Sequence, residues 1–567
     1  MNFKFGIITD THIKPKKGDQ SSPFKVNSLA NKRAKYATSL LSSFEQDFTI
    51  HLGDVVHPLP TLPTYESACL EAKKILKPLS SKMHFVPGNH DIGDKLHNAS
   101  PAGPLNKSTI KIYEDHFGPS WHIFVHKGVV MISVNSSLVN SGLEEEEIQK
   151  NWIEKQLHKY KKERIFLFSH YPLFIDSPEE PEHYDNYAKP GRKWLLNICV
   201  KAGVEAIFSG HVHHFFYNRY KKIKMYTLPA TSFVRQDYAE IFPVEPPLEF
   251  GRNDIGKFSV ALVDVTKKDH KLFFLPTGGH TKKFKKTKNI SKFVTSQSLI
   301  TPHLRHNWAG SFDLPYNGPM EEFSRKRARN DYPLMRLWQM GIQTVRTPLS
   351  DLLDKKFLKR MYDWNATGIK FSIFKEGLPS KKDLSILKKH KSIVSSFDFA
   401  LKNPEKFVTR VNLKLSFPVR VGKIVSSSSA VTKGSKFSHS VSYGFPLSDI
   451  KKAQSYWKRF SQLGYVFQIN ASENLENAFK NLLQLKKKTN RPISLVIRFA
   501  GPSPAVASFD SKKLITRLKK AIFLQKKYSF IDLQLDTFVS IDRGYHPRTG
   551  LIDRLSNFTN IGKSLIF

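Results

Sequence analysis

The sequence predicts an α/β protein of two domains, an N-terminal sheet-based half followed by a (β/α)8-like barrel. Three observations carry this. Short apolar runs alternate with amphipathic stretches along the chain. In the first half those runs end repeatedly in Asp, Asn and His. The 567 residues also exceed one ordinary domain, because domains run to about 100–200 residues.

The N-terminal strands come in order. Phe3 to Ile8 ends at Asp10, Thr49 to Leu52 at Gly53-Asp54, and His84 to Val86 at Pro87-Gly88-Asn89-His90. Val129 to Val134 is a β-branched run. Ile165 to Phe168 ends at His170, and Ala206 to Phe208 at Gly210-His211. Leu143 to Tyr160 reads as a helix, with four Glu at its start and Lys at its end, as the helix dipole prefers. In an α/β order, strands that each end in polar residues place those residues along one sheet edge. The Lys-rich stretch 281–300 follows a β-rich passage and reads either as an extended, self-repelling tether or as a nucleic-acid contact.

Residues 301–567 offer eight strand-like runs: 342–345, 369–374, 393–401, 408–417, 439–445, 465–470, 493–499 and 530–538. Amphipathic segments such as 355–364, 449–463, 475–488 and 511–527 separate most of them, the pattern of a (β/α)8 barrel. The third and fourth runs lie too close for a regular helix between them. Polar residues near the strand ends are Arg346, Glu376, Asn470, Arg498 and Asp536.

Composition excludes several classes. Hydrophobic residues are 40% of the chain, so it is not disordered. Two cysteines, Cys69 and Cys199, exclude a disulfide scaffold and a zinc–thiolate site. The first residues lack a secretory signal and no run of 18 apolar residues exists, so no membrane span and a cytoplasmic location are expected. The net charge is +40: residues 1–300 carry 42 basic against 30 acidic groups, and residues 301–567 carry 47 against 19. That excess fits either an anionic partner or a Lys-rich solvated surface.

The chemistry sits in five ordered blocks: Asp10-Thr11-His12, Gly53-Asp54, Gly88-Asn89-His90-Asp91, His170, and Gly210-His211-Val212-His213. Their carboxylates, amide and imidazoles suit Mn, Fe, Zn or Co, and suffice for two ions. Order and spacing (44 residues from Asp10 to Asp54, 35 to Asn89, 81 to His170, 41 to His211) resemble the calcineurin-like metallophosphoesterases over the first ~280 residues. The block from Gly203 to Thr231 is most similar to the small bacterial phosphodiesterases that include cyclic-nucleotide hydrolases.

This resemblance implies an αββα sandwich and two divalent metals (Mn2+, Fe2+/Fe3+, Zn2+ or Co2+). One metal would be held by Asp10, His12, Asp54 and His213, the other by Asp54, Asn89, His170 and His211. It further implies a metal-bridging hydroxide that attacks the phosphorus of an anionic phosphoester in line. His90 would assist the leaving group, with Asp91 orienting it. His12, where purple acid phosphatases have Gly, and His57, where they have a metal-bound Tyr, argue against an iron–tyrosinate site. Two insertions, 174–190 and 233–256, are expected to shape the pocket, with Arg235 and Arg252 as candidate anion contacts and His214 facing either substrate or solvent. The alternatives are a nuclease, a scaffold with a vestigial site, or a bifunctional enzyme whose barrel binds or processes the phosphoester or its product.

Overall fold

The computed structural model describes residues 2–17, 22, 24–96, 103–284, 299–314, 325–406, 413–426, 441–456, 462–499, 511–540 and 549–566. The chain forms two compact units, Met1–Val294 with Gly310–Met335, and Thr295–Ala309 with Arg336–Phe567.

The first unit holds two sheets. In one, the parallel strands Phe3–Ile8, Phe48–His51 and Met83–Phe85 are extended by the antiparallel strands Ser259–Val265 and His270–Pro276. In the other, Val129–Ser133, Arg164–Phe168, Ala206–Ser209 and Ile223–Thr227 run parallel, with His122–His126 and Phe216–Tyr220 as antiparallel edges.

Strand alternation decides which side chains meet. Phe166 and Phe168 point inward, where Phe5 meets both, and Phe208 lies against the same ring; all three centroids are 6.0–6.1 Å away. Ile165 and Leu167 point outward onto the helices Glu144–Lys159 and Lys189–Ala202. The helix Ala30–Leu41 covers the first sheet through Ala37, Leu40 and Leu41. The layers are therefore helix, sheet, sheet, helix, as the resemblance implied.

Residues 310–335, which the sequence placed with the barrel, belong instead to this first unit. Its short hairpin pairs Ser311–Leu314 with Lys326–Arg329. The cause is electrostatic: Arg329 donates to Asp176 Oδ1 at 2.8 Å and to Asn218 Oδ1 at 2.6 Å, and Asp331 accepts from Tyr217 N at 3.0 Å. Of the predicted linker, residues 285–298 lie outside the described residues.

The second unit is a nearly closed barrel of eight parallel strands: Ile300–Pro302, Thr344–Pro348, Lys370–Glu376, Val394–Leu401, Val419–Ser426, Leu463–Ile469, Ile493–Ile497 and Ile531–Leu535. A parallel bridge from His303 to Arg346 brings the first two together and completes the path. Two expected strands differ. The stave read at 408–417 lies at Val419–Ser426, after Pro418, and residues 407–412 lie outside the described residues. The stave read at 439–445 is instead a hairpin arm, Val441–Tyr443, antiparallel to Val419–Ser426, with Phe445–Pro446 pairing briefly with Leu463–Ile469. The first stave, Ile300–Pro302, is only three residues long and gave no sequence signal.

Cys69 and Cys199 are buried free thiols. Among the described residues, no helix is long and apolar enough to cross a membrane.

Candidate metal centre

The polar residues that follow the central strands of both sheets converge at one end of the sandwich. The backbone there is unusual. Asp10, His12, Asp54, His211 and His213 all have positive φ, between 44° and 67°. A side chain in the left-handed region costs roughly 1–3 kcal/mol, so five together are held by the surrounding structure and aim donors that regular strand ends would not. Gly88 is needed for close approach, since a Cβ there would overlap Asp54 N and Oδ1.

Two donor sets share Asp54. In the first, Asp10, His12, Asp54 and His213 bring one ligand atom each within 4.8 Å of the others. His12 Nε2 lies 3.0 Å from His213 Nε2 and 3.4 Å from Asp54 Oδ2, and His213 Nε2 lies 3.2 Å from Asp10 Oδ1. The second comprises Asp54, His170 and His211. Asn89 Oδ1 sits between those two imidazoles, 3.1 Å from His170 Nε2 and 3.0 Å from His211 Nδ1. The remaining ring nitrogens are anchored outside: His170 Nδ1 donates to Leu52 O at 2.7 Å and His213 Nδ1 to Phe233 O at 2.8 Å. Such bonds fix the tautomer, leaving the lone pairs directed into the site.

Electrostatics call for cations. Asp10 and Asp54 are buried, and among the described residues no Lys or Arg pairs with either. Burial pushes the Asp54 carboxyl up, but the imidazoles of His170, His90 and His12 outweigh it and hold it well below the usual range. Burial also opposes a charge on His170, yet Asp54 and Asp10 raise it to about 9. A buried anionic site that draws protons in this way is one that divalent cations would neutralise.

His90 and Asp91 separate in role. The His90 ring does not meet Asp91: its Nδ1 donates to His57 O at 2.6 Å, and its backbone N–H donates to Asp54 Oδ1 at 2.9 Å. The Asp91 carboxylate accepts instead from the backbone N–H groups of Gly88, Val55 and Val56, so it braces the loops that carry Asp54 and Asn89. The expected orienting carboxylate is thus replaced by a carbonyl, because the turn at Gly88 points Asp91 backward into the capping position.

A cavity of about 250 Å3 opens over the two donor sets, lined among others by His90, Tyr184, Phe233, Arg235 and Arg252. Both insertions reach it. Arg252 stands between the rings of Phe24 and Phe233, 4.2 and 4.4 Å from their centroids, and its buried Nε has no hydrogen bond. Burial lowers its guanidinium to about 10, so it remains charged at neutral pH. Arg235 is already neutralised, by Asp185 and by Asp237 at 3.7 Å. His214 faces neither substrate nor solvent. It is fully buried, stacked on Tyr238 at 5.2 Å and edge-on to Tyr332 at 4.6 Å, and desolvation holds it well below the usual histidine range.

The calcineurin-like phosphoesterase family model matches residues 3–215. Those residues form a calcineurin-like metallophosphoesterase domain. The mouse serine/threonine-protein phosphatase CPPED1 (Mus musculus) is 28% identical over 186 residues, 31% of this chain and 57% of that protein. The probable glycerophosphodiester phosphodiesterase GpdQ of Arcobacter nitrofigilis is 28% identical over 256 residues, covering 42% and 84%. A probable cyclic nucleotide phosphodiesterase of Pseudoalteromonas is 28% identical over 237 residues, covering 40% and 77%. The chain therefore spans little more than half the length of the mouse phosphatase.

The phosphoesterase domain has an inner support that sequence reasoning missed. Asp185 Oδ1 lies 3.5 Å from His211 Nε2, and the same carboxylate accepts from Tyr238 at 2.7 Å and from Lys326 Nζ at 2.7 Å. Lys326 also pairs with Asp237 and is 3% exposed. Asp185 gave a faint signal, an acid inside an insertion beside the metal motif. Lys326 gave none, lying more than 100 residues past the last motif in a basic run. Removing one partner of a buried pair leaves an uncompensated charge and costs about 3–5 kcal/mol. Lys326→Met is therefore expected to lower unfolding free energy by about 3 kcal/mol in denaturant titration. A loss below ~0.5 kcal/mol, the range of surface substitutions, would contradict this placement.

Proposed function

We propose that the chain is a dinuclear metal-dependent hydrolase of phosphate esters, acting on small organic or nucleotide phosphodiesters. The observation that carries this is the pair of buried donor sets sharing Asp54, whose carboxylates pair with no Lys or Arg among the described residues. The first set would hold one ion through Asp10, His12, Asp54 and His213, and the second another through Asp54, Asn89, His170 and His211. Mn, Fe, Zn and Co all suit these oxygen and nitrogen donors. When bound, two such ions supply a nucleophilic hydroxide at neutral pH and neutralise the phosphoryl oxygens.

The protein's own groups do the rest. His90, fixed through Nδ1 by the His57 carbonyl, presents its far nitrogen to the cavity to donate a proton or hydrogen bond to the leaving oxygen. Tyr184, whose hydroxyl accepts from Asn89 Nδ2 at 3.0 Å, leaves Asn89 Oδ1 directed at the second site. Arg252, whose buried Nε has no hydrogen bond among the described residues, is the anchor for a substrate oxyanion. The compact cavity favours a small ester over a nucleic-acid strand. In domain terms, the hydrolase is residues 1–280 together with the returning hairpin, and the barrel follows the linker.

Full-length protein loaded with Mn2+ is expected to hydrolyse bis-p-nitrophenyl phosphate and to lose that activity in chelator. Undiminished turnover after chelation would overturn the metal reading. Arg252→Met is expected to raise KM about ten-fold, ~1.4 kcal/mol of binding, with little change in kcat. A fall in kcat at constant KM would instead place Arg252 in the chemical step.

A further inference from the structure

The barrel carries a second cluster that the phosphoesterase reading does not use. Strand register sets its layers. Ile497, Leu535 and Pro302 pair in one level. The next residues along those strands are Arg498, Asp536 and His303, and His303 bridges Arg346. Parallel register and alternation put Asp532, Gln534 and Asp536 on one face of their strand. The first two make contacts across the barrel, so that face is the interior.

The lower level is a charge-balanced plug. Arg346 donates to Asp398 Oδ2 at 2.8 Å and Gln534 Oε1 at 2.5 Å. Arg420 donates to Asp398 Oδ1 at 2.6 Å and pairs with Asp532 at 2.8 Å. Two arginines thus face two aspartates. The upper level, at the C-terminal ends of the strands, is not balanced among the described residues. Arg305 grips Asp536 with two bonds of 2.6 and 2.8 Å, and His303 Nδ1 lies 3.9 Å from the same carboxylate. Arg498 stands near both. Its backbone is fixed by a bond to Ile469 O at 3.0 Å, while its guanidinium makes no hydrogen bond or ion pair to any described residue. Burial holds its guanidinium below the usual range and Arg305 adds to that, while Asp536, already gripped by Arg305, offsets it only in part. Glu376, the other rim carboxylate, is exposed.

We propose that the C-terminal end of the barrel is an oxyanion-binding site in which Arg498 and Arg305 take a phosphoryl or carboxylate group. A planar guanidinium whose N–H groups have no acceptor among the described residues matches either anion bidentately. The end of the barrel is where loops after the strands build ligand sites. Asp536 is the built-in competitor, occupying Arg305 in the ligand's absence. This inference does not depend on the metal site.

The test is calorimetric titration of the metal-loaded full chain with inorganic phosphate and, separately, succinate. Arg498→Gln is expected to weaken one binding event at least ten-fold and leave hydrolysis of bis-p-nitrophenyl phosphate unchanged. Asp536→Asn, which frees Arg305, is expected to tighten the same event, a gain that misfolding does not produce. Which of the two anions binds tells the phosphoryl source from the carboxylate source. An Arg498→Gln isotherm identical to wild type, loss of every event in Arg252→Gln, or binding of neither anion would each overturn the proposal.

Discussion

Asp54→Asn is expected to lower kcat by at least ~10^3, about 4 kcal/mol of transition-state stabilisation, and to reduce bound Mn2+ from two equivalents towards one. Asn is the informative replacement. Asp54 has φ 51°, a conformation that Asn tolerates and Ala does not. Its carbonyl oxygen preserves the bond from the His90 N–H at 2.9 Å. What is lost is the negative charge and the second anionic oxygen, the two properties on which both donor sets depend. A second readout separates this from damage. In metal-free protein the imidazoles of His170, His90 and His12 hold the Asp54 carboxyl well below the usual range despite its burial, so at neutral pH the folded state favours that charge and neutralising it removes a stabilising interaction. Metal-free Asp54→Asn should therefore melt below metal-free wild type, while the rise in melting temperature on adding Mn2+, taken from each protein's own metal-free value, shrinks. Full activity with two bound metals would dismiss the shared-ligand assignment.

Much of this site was legible because it is local. Each block is a strand end of one to four residues, and the sheet brings the ends together whatever the connecting helices contain. The glycines at 53, 88 and 210 and the Asp, Asn and His beside them are residue types that tight turns and ligation both select, so their order, read with the family resemblance, picked out seven candidate donors that the fold places near one another. What escaped depends on long-range pairing. Asp91 is adjacent to His90 in sequence but turns away, because helical geometry at Gly88 sends successive side chains in different directions. Arg235 looked free because its partner Asp185 lies 50 residues earlier. Lys326 answers to Asp185 and Asp237 across 141 and 89 residues, and no periodicity encodes such a match. The barrel shows the same division. Long β-branched staves were readable, whereas the three-residue stave Ile300–Pro302 is held mainly by its neighbour Ile531–Leu535 and has little pattern of its own.

His90→Ala is expected to divide substrates by leaving group. General acid assistance is worth about 10^2–10^4 in rate where the departing oxygen needs a proton. An alkoxide does. A p-nitrophenolate, already a weak base, does not. The variant should therefore lose about that much on an alkyl phosphodiester, and far less on bis-p-nitrophenyl phosphate. The geometry supports a directed donor rather than a general positive field. The ring is held at Nδ1 by a 2.6 Å bond to a carbonyl, which cannot take the proton away, and its other edge lines the cavity. His12 lies edge-on at 4.7 Å and His57 is stacked at 5.3 Å, so the ring cannot swing aside without displacing a neighbour. Because the His90 backbone N–H also reaches Asp54, metal stoichiometry should be measured alongside and should stay at two. Equal losses on both esters with two metals bound would remove the proton-donor role and leave His90 an electrostatic one. Loss of a metal would mean instead that the ring braces the shared carboxylate.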